Sequence, residues 1–457
     1  VVPLAPGRDP NLVASAIITA LGVREAGDAA LTDRLKAILR EKRHLLVLDN
    51  FEQVIDAAPL VADLLGACPV VTMLVTSRVR LRVSGEREVP VAPLGLIELD
   101  RHRRVEDVAT SDAVRLFVTR AEAVQPGFAL TADNAVAVAE ICRRLDGLPL
   151  AIELAAARVK VLPPSALLAR LDQRLPLLTG GGRDVPERQQ TMRSAIAWSH
   201  DLLTPEEQVL FSRLAVFAGG FTLDAAETVA SEPDDSRLDT FEGIASLADN
   251  SLLRQEEGAD RFPRFSMLET VREFALERLA ASGEEGAMRE RHASWCLALA
   301  ETAGAGPDLH ADVPWLVRLD AELDNLRVAL AWFSETGEHT NVLRLLSPLS
   351  LYWTVRPYLT EVHGWLEPSL RAVRDAPATV RTAALALAVY MTSFLGDHAA
   401  ALAYAEEALE LAREFDDPYA LGRAYFGLGI AWAFAGDAAR AAAPYEEALS
   451  LLRGAGV

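Results

Sequence analysis

The sequence has only three cysteines in 457 residues, Cys68, Cys142 and Cys296, and they lie far apart. None forms a C-x-x-C pair or stands near a histidine at ligand spacing, which argues against a zinc module or a disulfide scaffold. They read instead as small buried hydrophobes in a reducing cytoplasm. There is no signal peptide and no unbroken apolar run of about 18 residues, so neither secretion nor a membrane span is supported. Positive charge is in deficit: 45 Lys and Arg against 65 Asp and Glu leave a net charge of −20. That field repels nucleic-acid backbone and disfavours unassisted DNA binding. Hydrolase signatures are missing as well, with no G-x-S-x-G, no H-E-x-x-H and eight scattered histidines. No G-x-x-x-x-G-K-[ST] occurs either, and that is the element that cradles nucleotide phosphates.

What is present looks folded, with 51% apolar and 24% charged residues and room for several cores. His44-Leu45-Leu46-Val47-Leu48-Asp49-Asn50 is an apolar run ending in a carboxylate, as in a buried parallel strand delivering an acid to a Mg²⁺–phosphate site. Val70 to Arg78 repeats the pattern and ends in Thr76, Ser77 and Arg78. Helical spacing covers Asn11–Leu21, with Asp9 and Pro10 as start signals, and Leu31–Lys42, and an amphipathic stretch runs from Phe51 to Leu65. Glu88-Val89-Pro90-Val91 reads as a further strand. Alternation of strands and helices implies a parallel α/β sheet, here expected without a first strand or first loop. The chain begins Val1-Val2-Pro3-Leu4 without an initiator Met, and a start inside a domain is expected.

From Ser111 onward the strand signals stop. Helices are expected at Ala113–Val124 after the Ser111-Asp112 cap, at Thr131–Leu145, from Gly147-Leu148-Pro149 through Arg158, and after Pro163-Pro164. Gly180-Gly181-Gly182 reads as a joint. Helices near 189–203, 205–217 and 239–250, a hairpin of 251–255 with 264–268, and a helix from Glu269 to Leu279 make a winged-helix layout. Beyond about residue 285 all is helical, and the end repeats itself at a 40-residue spacing: Gly396-Asp397 with Gly436-Asp437, and Glu406-to-Leu409 with Glu446-to-Leu449. A degenerate copy contains Trp365-to-Leu370. Stacked units of this kind are expected to continue beyond Val457.

Taken in order, these motifs resemble the STAND class of signal-transduction ATPases, and more narrowly the bacterial regulators of the LuxR and antibiotic-regulatory-protein (SARP) type. The resemblance rests on Leu45–Glu52, Leu74–Arg78, Gly147–Ala151, the Gln189-Gln190-Thr191…Trp198-Ser199 helix, Met267–Glu273 and the tetratricopeptide-like end. It implies a mostly α, multidomain chain. A partial P-loop-type α/β domain (1–107) lacks the phosphate loop, and a helical domain (108–184), a winged-helix domain (185–283) and a tetratricopeptide-like superhelix (284–457) follow. It also implies ATP or ADP with Mg²⁺ as cofactor, self-association in the active state, and DNA contact only through a domain outside this chain. No membrane partner is expected.

Within that frame Asp49 would hold Mg²⁺ through water; the alternative is a helix cap for the segment at Phe51. Many relatives carry a second acid where Asn50 stands, so hydrolysis would be slow unless Glu52 substitutes. The alternative for Glu52 is a solvated helix-start residue. Thr76, Ser77 and Arg78 stand at the sheet edge where ligands bind, Arg78 as a γ-phosphate sensor or else in a salt bridge. Gly147 and Pro149 would grip adenine, or Pro149 simply starts a helix. Leu268 replaces a histidine that contacts ADP in the wider class and is better read as core. The winged helix reads as a lever, since Arg188, Arg193, Gln189 and Gln190 make no basic stripe. Trp353, Trp365, Tyr404 and Trp432 knit the repeats together or line a groove for a protein or small-molecule inducer. Two functions follow: a nucleotide-dependent switch of a transcriptional regulator, with this chain alone binding nucleotide weakly, or a nucleotide-independent repeat scaffold.

Overall fold

The computed structural model describes residues 1–4, 10, 13–22, 31–41, 43–97, 105–171, 174–179, 190–231, 239–258, 262–304, 313–356, 358–414 and 417–454. Asp9, Asn11, Lys42, Gly180 to Gly182, Arg188 and Gln189, used in the sequence reading, lie outside them. The chain divides into two compact units. One comprises Val1–Phe211, Arg237–Arg254 and Met267–Ala275; the other comprises Ser212–Ser236, Gln255–Ser266 and Leu276–Val457.

The first unit opens on a parallel sheet of three strands, β1 (Val2–Pro3), β2 (Leu45–Asp49) and β3 (Thr72–Val75), in that spatial order. β1 is a strand that the sequence pattern did not single out. It is legible only in retrospect: Val2 and Leu4 are buried, and Pro3, which lacks a donor, is tolerated at a sheet edge. Leu4 N–H continues the pairing by donating to Asp49 O at 3.0 Å. Helices α1 (Val13–Ala20), α2 (Leu31–Leu39) and α3 (Ala58–Ala67) contribute Ile17, Ile18, Leu35, Leu39, Val61 and Leu64 to the same core as Leu46 and Leu48. The Phe51–Leu65 stretch resolves into a 3₁₀ turn, Phe51–Ala57, and then α3. Glu88–Val91 is not a strand: it pairs with no neighbour among the described residues, and Val91 is 94% exposed. Its alternation is genuine, but Pro90 removes a ladder donor and no sheet edge takes it up.

α4 (Val105–Val108), α5 (Asp112–Val124), α6 (Ala135–Arg144), α7 (Pro149–Ala156), α8 (Pro164–Leu168) and α9 (Arg174–Leu177) form the helical part. Ser111 caps α5 by accepting from Val114 N–H. Thr191 caps α10 (Met192–His200) in the same way, and α11 (Pro205–Arg213) follows. Next come β4 (Phe221–Thr222) and α12 (Leu223–Ala230), a helix absent from the sequence reading, then α13 (Thr240–Asp249). The hairpin strands are β5 (Arg254–Glu257) and β6 (Pro263–Ser266), so β5 starts later than the expected 251 and Ser251 lies instead in a left-handed turn, φ 58°. β4 pairs antiparallel with β6, Phe221 opposite Phe265. α14 (Glu269–Ser282) closes the module.

The rest of the second unit is helical: α15 (Glu285–Gly304), α16 (Val313–Glu335), α17 (His339–Leu346), α18 (Ser350–Val355), α19 (Leu359–Ala372), α20 (Ala378–Leu395), α21 (His398–Arg413), α22 (Pro418–Phe434) and α23 (Ala438–Gly454). The 40-residue repeat is the pair α20–α21 followed by α22–α23. Gly396 and Gly436 end the first helix of each pair at φ 84° and 81°, a conformation that glycine adopts without steric cost. Asp397 and Asp437 then cap the next helix, accepting from Ala400 and Arg440 N–H. One helix among the described residues, α20, is long and apolar enough to cross a membrane. Most of it is buried within the repeat array, as a core helix would be.

Candidate functional site

β2 and β3 end level with each other, so their C-terminal residues meet. Asp49 Oδ1 accepts from Thr76 Oγ1 at 2.5 Å, and the same hydroxyl accepts from Asn50 N–H at 3.0 Å. Phe51 N–H donates to Thr76 O at 3.0 Å. Asn50 is left-handed, φ 64°, and provides no side-chain cap, so the chain turns sharply and drives Phe51 into the core. Asp49 is therefore not the cap of the following segment. Its carboxylate is held by the neighbouring strand.

The turn also carries Glu52 inward. It is 4% exposed, which overturns the alternative of a solvated helix-start residue. Asn50 Nδ2 donates to Glu52 Oε1 at 3.5 Å, a long contact, and Glu52 Oε2 is buried without a hydrogen-bond partner among the described residues. A buried carboxylate oxygen with no donor is costly unless a cation, a water or a further donor reaches it. A hydrated Mg²⁺ held at Asp49 would supply such donors, so the residues present fit that cofactor.

The remaining sequence candidates separate. Ser77 Oγ is engaged with the backbone of Val79. Arg78 Nη1 donates to Ala195 O at 2.8 Å and to Ser199 Oγ, both on α10. Gly147 follows Asp146 in a double left-handed turn, φ 55° and 67°, and its O accepts from Leu94 N–H at 3.0 Å. Pro149 is the first residue of α7, the position that suits proline. It is exposed and lines a shallow cleft of about 500 Å³ with Leu94, Leu116, Thr119 and Glu153. Leu268 is half-buried.

Sequence reasoning missed Asp146. Its Oδ2 accepts from Glu269 N–H at 3.0 Å and so caps α14 at the Met267-Leu268-Glu269 segment. Burial, with repulsion from Glu269, pushes its carboxyl up to about 6, against the pull of the Glu269 N–H bond, Arg174 and Arg254. A carboxyl raised in the folded state binds its proton more tightly there than unfolded, so the folded state loses stability as pH rises through about 4 to 6. Asp146→Asn keeps a cap acceptor and the left-handed preference. It is expected to flatten that slope and to raise stability near pH 7 by about 2 kcal/mol, read from urea midpoints across pH.

On the repeats, Trp353 is 2% exposed, and its Nε1 donates to Leu346 O at 3.1 Å. It is a core residue, which corrects its expected role in partner binding. Trp365 and Tyr404 are partly buried against the same core. Trp432 is partly open, with the Arg440 guanidinium 4.7 Å from its ring centre.

Comparison with known proteins gives two domain matches, a winged helix-turn-helix domain over residues 203–280 and a tetratricopeptide repeat over 380–454. Proteins of Mycobacterium bovis and Mycobacterium tuberculosis, named provisionally as HTH-type transcriptional regulators, are 40% identical over 462 residues. The match takes in 99% of this chain and 50% of theirs, so the chain spans about half the length of these relatives. A shorter M. tuberculosis protein, named only as uncharacterized, is 40% identical over 291 residues, 63% of this chain and 70% of its own. A solved STAND protein with a tetratricopeptide repeat sensor from Pyrococcus horikoshii aligns with 94% of this chain and 66% of its own. Its sequence identity is 14% and the TM-score 0.27.

Proposed function

The chain belongs to the family of the mycobacterial protein that it matches over 70% of that protein's length, and on that premise we propose that it is the switch-and-sensor portion of a nucleotide-dependent transcriptional regulator. The observation that carries this reading is the buried, unpartnered Glu52 oxygen beside the Asp49–Thr76 pair at the end of a parallel strand. Asp49 holds Mg²⁺ through water, Thr76 fixes the Asp49 carboxylate, and Glu52 orients or accepts from a water in place of the acid missing at Asn50. When bound, Mg²⁺ neutralises phosphate charge. Ser77 and Arg78 complete the phosphate side, and Gly147 and Pro149 the base side. ATP/ADP exchange is coupled to an inducer on the repeats around Trp365, Tyr404 and Trp432, with self-association in the active state. DNA is read by a domain outside this chain.

Among the described residues β3 pairs with β2 alone, and Leu74 on it is 54% exposed. This supports a sheet completed in a longer polypeptide by a further parallel strand bearing the phosphate loop. Calorimetric titration of ADP and Mg-ATP into this chain, and into a longer polypeptide with that loop, tests the reading. Micromolar binding by the longer form alone is the expected outcome, and Asp49→Ala in it should weaken Mg-ATP binding by roughly tenfold to hundredfold, as loss of an outer-shell metal partner does. Binding by neither form overturns the switch.

The second reading, a nucleotide-independent repeat scaffold, is favoured by exposed aromatics on the repeats. Phe394 and Phe434 occupy equivalent positions 40 residues apart, with ring centres at 5.0 Å in an edge-to-face pair, and both side chains are exposed. Both aromatics changed to Ser should leave nucleotide binding intact and abolish partner capture if this reading holds.

A further inference from the structure

We propose that the exit of β3, Arg78 to Arg82, is a latch that ties the geometry of the Asp49 site to helices α10 and α13. Three arginines at alternate positions reach across to those helices. Arg78 Nη1 donates to Ala195 O at 2.8 Å and to the buried Ser199 Oγ on α10. Arg80 Nε lies 3.4 Å from Asp249 Oδ1 and 2.9 Å from Glu88 Oε2. Arg82 Nη2 donates to Asp249 Oδ2 at 2.7 Å, at the end of α13. Ser251 Oγ, just beyond α13, reaches Arg78 O at 3.5 Å.

At its other end the same segment is fixed to the candidate site. Thr76 bonds Asp49 by its hydroxyl, accepts from Asn50 N–H on that hydroxyl and from Phe51 N–H on its carbonyl, and donates its own N–H to Leu48 O at 3.0 Å. A single residue, Ser77, therefore separates a group bonded to Asp49 from a guanidinium bonded to α10. A ligand that draws Asp49 or Arg78 to itself competes for those bonds, and a movement of α10 or α13 strains them from the far end. This is a two-state element that two sites can bias. Charge-assisted bonds are strong enough for such a role, and Asp249 is shared by Arg80 and Arg82 while Arg78 is held separately on α10.

The inference rests on the nucleotide-site reading for its purpose. Its test needs no nucleotide, so the two can fail separately. Amide hydrogen exchange is measured on the full chain and on a Ser199→Ala, Asp249→Asn double variant. Exchange in peptides spanning 48–52 and 74–78 should quicken about tenfold, a loss consistent with breaking charged hydrogen bonds, while α20 to α23 stay unchanged. Faster exchange confined to α10 and α13, or no change, overturns the latch. Should the double variant not fold, Arg82→Gln, a change at an exposed side chain, should give a smaller rise of about twofold in the same two peptides. No rise there overturns it equally.

Discussion

Gly147→Ala is expected to destabilise the first unit by about 2–4 kcal/mol. Two costs add at this residue. Its φ of +67° lies in the left-handed region, where a Cβ costs roughly 1–2 kcal/mol. A Cβ built there would also stand 2.4 Å from Leu94 O and 3.3 Å from Pro93 Cβ, and the first of these is backbone that cannot swing aside. Relief requires the turn to open, which breaks the Leu94 N–H to Gly147 O bond and displaces Asp146, the cap of α14. Gly127→Ala is the control: its φ is +87° and nothing lies within 4 Å of the added Cβ, so only the dihedral cost of about 1 kcal/mol applies. Urea unfolding of both variants separates the terms. Equal losses would mean that the Leu94 contact is not tight.

The contrast between these glycines shows where sequence reading stops. Gly147-Leu148-Pro149 was legible as a punctuated helix start, because proline at the first turn and glycine before it have local reasons. That Leu94, more than 50 residues earlier, closes on that glycine was not legible. The strands β2 and β3 announced themselves as apolar runs ending in polar residues, and equal strand ends place Asp49 beside Thr76. The burial of Glu52 did not follow from its position. A left-handed Asn50 and a 3₁₀ turn set its direction, whereas the sequence reading assumed a regular helix. The short helix α12 was missed although Thr222 caps it and Ala225, Ala226, Val229 and Ala230 bury one face, because eight residues are too few for a firm helical period. Arg78 was singled out as a candidate phosphate sensor, but its acceptors on α10 are 117 and 121 residues away. Long-range polar partners leave no periodic trace in a single chain.

Asn325 is such a case, and Asn325→Leu should cost the second unit about 3–5 kcal/mol, near 10 °C in Tm. The side chain is 0% exposed, and all its capacity is used. Oδ1 accepts from Ala218 N–H at 2.8 Å and lies 3.2 Å from His292 Nε2, while Nδ2 donates to Gly220 O at 2.9 Å and to Glu322 Oε2 at 2.6 Å. Glu322 is itself buried and holds Arg264 of β6. One amide thus fastens the Gly219-Gly220 turn and, through Glu322, the wing strand to α16. Leucine fills a similar volume but strands the Ala218 donor and the Gly220 and Glu322 acceptors, each costing about 1–3 kcal/mol when buried and unpaired. Asn325→Asp sharpens the test. It keeps an acceptor for Ala218 but sets a carboxylate against Glu322 where a hydrogen bond stood. The new carboxyl would have its folded pKa raised by burial and by that neighbour. Stability of this variant should then fall as pH rises through that value and recover on acidification, so its deficit relative to the native chain is larger at pH 7 than at pH 5. A deficit independent of pH would place the amide donor elsewhere than on Glu322. A loss under 1 kcal/mol for Asn325→Leu would mean that the wing is not held through this residue.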